Sequence, residues 1–166
     1  MIDERLPSPK DLKIVGNQLG RPARDIAGIA ARCVCGKPVV VITKPRLSDG
    51  TPFPTFYYLT QPAATKAASR LEAEGKMHEY ELRLRQDQKK QDMYRLAHES
   101  FMADRDELGI VEEIDGISAG GMPQRVKCLH SLIAHSLAKG PGVNPVGDWA
   151  LEETPWNAKI CQCTEA

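Results

Sequence analysis

The chain has 166 residues, of which 42% are hydrophobic and 27% charged, with 22 Lys plus Arg against 22 Asp plus Glu. That size and mixture point to one ordinary globular domain, and the zero formal net charge argues against a global pull on nucleic acid or on an anionic membrane. The N-terminal "MIDERLPSPKDLKIVGNQLG" lacks the apolar core of a signal peptide and no apolar run approaches a membrane span. A cytoplasmic chain is therefore expected, whose five cysteines, Cys33, Cys35, Cys128, Cys161 and Cys163, serve as thiols or ligands rather than as a disulfide framework.

Ser8-Pro9 reads as an N-cap and first helical residue, Leu12, Val15 and Leu19 follow at helical spacing, and Gly20 stands where a helix stops. A short amphipathic helix is predicted over Pro9–Leu19. Two apolar runs, Ile26–Val34 and Pro38–Thr43, flank Cys35-Gly36-Lys37 and predict a hairpin. "KPRLSDGTPFPT" is a loop by its turn formers, and "FYYLT" (Phe56–Thr60) is β-prone enough to add a third strand. Pro62 opens a helix that Gly75 closes. From Lys76 to Leu108 turn formers are almost absent and apolar residues keep helical spacing, with a break expected near "QDQKK". The charges there read as solvated faces.

"IVEEIDGISAGGMPQ" is a hinge, and Pro123 is placed in the first turn of a helix running to about Ala138. "KGPGVNPVGDWALEE" is read as a turn-rich segment that ends it. The expected architecture is α+β: a small antiparallel sheet of about three strands packed with several helices, as a single domain over residues 1–150 with a C-terminal tail over 151–166.

"GRPARDIAGIAARC", "PFPTFYYLTQP", "SRLE" and "GMPQRVKCLHSLIAHSLAKGPGVNPVGD" together resemble the bacterial family of domains of unknown function numbered five hundred and one, in its actinobacterial type. The resemblance runs from about Leu19 to Ala150. It implies family cysteines at Cys33 and Cys128 and family histidines at His130 and His135. It also places Gln61 where many members carry a cysteine. Cys35, Cys161 and Cys163 lie outside the pattern.

These residues suggest a metal site of Cys33, Cys128, His130 and His135, since thiolate and imidazole suit zinc or iron. Helix geometry limits it. At about 100° per residue, Cys128 and His130 would point about 200° apart, and Cys128 and His135, though on one face, would lie roughly 10 Å apart along the axis. A site using Cys128 and His130 together requires "VKCLH" to be irregular or to be the edge of the helix. Cys128 with His130 is also a minimal nucleophile-and-base pair, favoured by Arg125, Lys127 and a helix start. Gly120, Gly121, Arg125 and Lys127 offer a turn and helix-start amides for phosphate or another anion. Four thiols, Cys33, Cys35, Cys161 and Cys163, can build a four-cysteine zinc site, although the one-residue spacing within each pair is tighter than usual. The loops Asp49–Thr55 and Gly140–Asp148 are conspicuous enough to line a pocket. Two functions of different class follow: a small protein binding a metal or ligand at a Cys/His cluster, or a non-catalytic interaction protein presenting its charged helices to a protein partner.

Overall fold

The computed structural model describes residues 5–163. In chain order the elements are α1 (Pro9–Leu19), β1 (Ile26–Arg32), β2 (Pro38–Thr43), β3 (Tyr57–Leu59), α2 (Pro62–Ala73), α3 (Lys76–Arg85), α4 (Gln88–Asp106), α5 (Leu129–Lys139) and α6 (Pro145–Glu153), with a 3-10 turn at Glu112–Ile114. The strands form one antiparallel sheet in the order β1-β2-β3, so the fold is α+β, as composition and periodicity predict.

Local chemistry explains the elements that the sequence announces. Ser8 Oγ accepts from the Asp11 amide at 3.1 Å while the Asp11 carboxylate accepts from the Ser8 amide at 3.0 Å, a reciprocal cap on α1. Asp11 also takes both guanidinium nitrogens of Arg32, at 2.8 and 2.9 Å, which ties α1 to β1 and holds the carboxyl well below the usual carboxylate range. The run "PVVVIT" is buried at every position because both faces of β2 are covered. Val41 packs with Val15 and Ile29 beneath α1; Val40 and Ile42 join the larger core on the other face. The charged stretch breaks at Asp87, whose side chain caps α4 by accepting from the Lys90 amide at 3.1 Å. Tyr80, Leu84, Tyr94, Ala97 and Phe101 point from α3 and α4 into the core.

The centre of that core is α5, which packs on β3, α2 and α6 and buries Leu129, Leu132, Ile133, Ala134 and His135. It starts at Leu129, not at Pro123 as expected. Gly120 and Gly121 adopt φ 66° and 94°, and their carbonyls accept the amides of Lys127 at 2.7 Å and Arg125 at 2.8 Å. A β-carbon on Gly120 would stand 2.7 Å from Leu132 Cδ2, and one on Gly121 2.8 Å from Arg125 O. The glycine pair thus builds a tight non-helical loop, and residues 123–128 follow it. A second difference is α6, inside a stretch read as turns. Its signals are Asn144, whose side-chain oxygen accepts from the Gly147 amide at 3.1 Å, and Pro145 in the first helical turn. Beyond α6 the chain returns to the sheet: Trp156 is buried in the larger core and Ala158 O accepts from the Val34 amide at 3.0 Å. No helix among the described residues is long and apolar enough to cross a membrane.

Candidate metal centre

The turn between β1 and β2 is closed by Cys33 N to Lys37 O at 2.9 Å and Gly36 N to Cys33 O at 2.8 Å, with Gly36 at φ 90°. This tight turn carries Cys33 and Cys35. The C-terminal segment reaches it through Trp156, whose indole N–H donates to Gln61 Oε1 at 3.1 Å, and through the Val34–Ala158 backbone bond. The result is a cluster of Cys33, Cys35, Cys161 and Cys163 whose sulfurs all lie within 4.8 Å of one another. Cys33 is buried, Cys163 half-buried, and Cys35 and Cys161 are exposed; all four are free thiols.

The Cys35 and Cys163 sulfurs are 3.7 Å apart, far longer than a disulfide of about 2.05 Å. Tetrahedral zinc with Zn–S bonds of about 2.3 Å places its sulfurs roughly 3.8 Å apart. The backbone amide of Lys37 draws the exposed Cys35 thiol down to about 7, and the adjacent thiols add to this effect; some desolvation by its neighbours opposes it. Burial pushes Cys33 up and Cys163 up to about 12. One buried, one half-buried and two exposed thiols gathered within 4.8 Å are a donor set that could hold one four-coordinate metal ion.

A second group forms at the start of α5. Cys128 is the N-cap residue, extended at φ −149° and ψ 110°, so it lies off the helix that would have turned it away from His130. Its sulfur, a His130 ring nitrogen and a Glu72 carboxylate oxygen all lie within 4.8 Å of one another. His130 Nδ1 is 3.1 Å from Glu72 Oε2, and His130 Nε2 is 3.1 Å from Ser69 Oγ. Glu72 Oε2 also accepts from the Leu129 amide at 2.9 Å, and Ser131 Oγ donates to Cys128 Sγ at 3.6 Å. Burial opposes ionisation of Cys128, but contact with His130 and Ser131 outweighs it and the thiol is lowered. His130 is raised, chiefly by Cys128.

The four residues expected from sequence to form one metal set are thus distributed over three places. Cys33 lies in the four-thiol cluster, Cys128 and His130 lie with Glu72, and His135 is sealed in the core, 0% exposed. His135 stacks on Tyr57 with ring centres 5.7 Å apart and meets Phe101 edge-on at 5.3 Å. Asn144 Nδ2 donates to its Nδ1 at 3.1 Å, and its Nε2 has no hydrogen-bond partner among the described residues. Gly120, Gly121, Arg125 and Lys127 do meet in one loop, but the Arg125 and Lys127 amides already bond glycine carbonyls, and the Arg125 guanidinium holds Glu81 at 2.6 Å. The helix-start amides required for an anion are elsewhere, because α5 starts later. A separate cavity of about 220 Å³ is lined by Arg21, Arg24, Tyr58 and, from the loop singled out in the sequence, Asp49 and Phe53.

Two features of these sites are not legible in the sequence. Glu72 sits in "SRLE" but carries no motif of its own. The meeting of the two cysteine pairs depends on Trp156 docking, which no local pattern encodes. No curated protein and no solved structure matches the chain. Residues 29–152, a span that leaves out Cys161 and Cys163, match the family described as "Protein of unknown function (DUF501)", and the chain belongs to that family.

Proposed function

We propose that this chain is a thiolate metal-binding protein of the actinobacterial type within its family, in which Cys33, Cys35, Cys161 and Cys163 together hold one tetrahedral ion. Zinc is the first choice and iron the second, since both accept four sulfurs in this geometry. The observation that carries the reading is the convergence of four sulfurs from two distant segments within 4.8 Å, one pair already at 3.7 Å. Four thiolates leave no open coordination position, so the ion's role is structural: it closes the C-terminal segment onto the β1–β2 turn.

The position of Gln61 supports this. Its side-chain amide donates to Cys163 Sγ at 3.4 Å. The position at which the resemblance implies a family cysteine therefore borders the same cluster, and we read Cys163 as the sulfur that serves it from the tail in this chain. Elemental analysis of tag-free protein, beside a Cys35→Ser variant, tests the proposal. The unmodified chain is expected to hold zinc or iron, and the variant to hold one equivalent less. Equal metal content in the two proteins sinks the four-thiolate reading.

A further inference from the structure

The group at the start of α5 has a different character from the four-thiol cluster. Its donors are a thiol, an imidazole and a carboxylate, and Glu72, Cys128 and His130 are all half-buried rather than sealed. Two of them are anionic when bound, so the set neutralises a divalent cation. The 3.1 Å separation of His130 Nδ1 and Glu72 Oε2 is close to the roughly 3.3 Å expected between N and O donors at bonds of about 2.0–2.1 Å on a tetrahedral ion. The surrounding contacts are those that orient ligands. Ser69 engages the other imidazole nitrogen at 3.1 Å, and the Leu129 amide holds the carboxylate at 2.9 Å.

We infer that Glu72, Cys128 and His130 form a second, open metal site, with three protein donors on a divalent ion such as zinc and the fourth position left to water or a small anion. Three protein ligands plus an exchangeable position is the arrangement of zinc sites that work on a bound water or ligand. On ion binding the Cys128 thiol gives its proton to solvent, and His130 coordinates through Nδ1 as the neutral Nε2–H tautomer, whose N–H donates to Ser69 Oγ; an imidazolium gives up its Nδ1 proton to solvent as well. The extended backbone at Cys128 makes this possible, because a regular helix would point its sulfur away from His130. The site shares no ligand with the four-cysteine cluster and stands or falls separately.

The experiment counts ions. Full-length, tag-free protein is stripped of metal, reloaded with Zn(II) or Co(II), and the bound equivalents are measured beside His130→Ala, Glu72→Gln and Cys35→Ser. The expected counts are two for the parent and one for each variant. Glu72→Gln keeps an acceptor for the Leu129 amide, and a far-UV spectrum confirms that each variant is folded. A parent that binds one ion, lost in Cys35→Ser but kept in His130→Ala and Glu72→Gln, overturns this inference and leaves the four-thiolate reading standing. One ion lost in His130→Ala but kept in Cys35→Ser supports this inference and overturns the other. In Co(II)-loaded Cys35→Ser, sodium azide is expected to shift the visible bands of the remaining ion. No shift overturns the open fourth position. Alkylation of Cys128 by iodoacetamide at the same rate with and without zinc also counts against the site, and favours a nucleophilic thiol instead.

Discussion

Gln61 donates to the sulfur of Cys163 at 3.4 Å, across 102 positions of sequence. The same buried side chain, 1% exposed, accepts from the Trp156 indole at 3.1 Å and caps α2 by accepting from the Ala64 amide at 2.7 Å. One amide therefore joins a helix start, the docked C-terminal segment and the thiol cluster. Gln61→Leu leaves the Trp156 N–H and the Ala64 amide without partners, and is expected to cost about 3 kcal/mol. Denaturant unfolding followed by tryptophan fluorescence measures this, and a loss under about 0.5 kcal/mol contradicts the role given to Gln61.

The glycine loop before α5 predicts a contrast between two substitutions. Gly120 and Gly75 both have positive φ, 66° and 79°, but a β-carbon on Gly75 meets nothing within 4 Å while one on Gly120 strikes Leu132. Gly75→Ala is expected to cost about 1 kcal/mol from backbone strain alone, and Gly120→Ala at least about 1 kcal/mol more. Equal losses in unfolding free energy mean that the loop is not held against Leu132.

His135 makes stability depend on pH. Burial lowers it to about 4, with Lys139 acting in the same direction and Asp104 against, whereas a free histidine titrates near 6.5. Between these values the unfolded chain binds a proton that the folded chain does not. The contribution of neutral His135 is therefore complete above about pH 6.5 and is lost as pH falls toward 4, by about 3 kcal/mol in all. His135→Leu should flatten the fall in unfolding free energy between pH 7 and 4.5 by about 2 kcal/mol. An unchanged slope contradicts the burial of a neutral ring. His98, also lowered by burial, titrates in both proteins and cancels in the comparison.

Arg105 is 2% exposed and pairs with no carboxylate among the described residues. Its guanidinium donates to the carbonyls of Pro54 at 3.1 Å, Ile117 at 2.6 Å and Ile114 at 2.9 Å. It thus fastens the loop before β3 and the 3-10 turn to the end of α4. A lysine ammonium cannot reproduce the planar fork. Arg105→Lys is expected to cost about 2 kcal/mol and Arg105→Met about 3 kcal/mol, read as lower melting temperatures. Melting temperatures within a degree of the parent contradict this account.

Much of the fold is legible in the sequence because its signals are local. Ser8-Pro9 and Gly20 bound α1, Pro62 and Gly75 bracket α2, and the all-buried run of β2 declares a strand covered on both faces. Asn144-Pro145 carries an equally local cap, but the glycines and prolines around it mask a nine-residue helix. The site is less legible because its geometry is long-range. Helix arithmetic correctly separates Cys128 from His130 on a regular helix and names the condition for their meeting, that the segment be the edge of the helix. The condition is met by the glycine loop, whose carbonyls bind the amides that would have begun an earlier turn. The four-thiol cluster depends on Trp156 returning to the core, and the tight β1–β2 turn brings Cys33 and Cys35 together despite a spacing shorter than usual for ligands.

The central claim is that four sulfurs surround one ion. X-ray absorption at the metal edge tests it most directly, on His130→Ala protein so that only the four-cysteine site is loaded. The account predicts a single shell of four sulfurs at about 2.3 Å. A first shell dominated by nitrogen or oxygen at about 2.0–2.1 Å contradicts it.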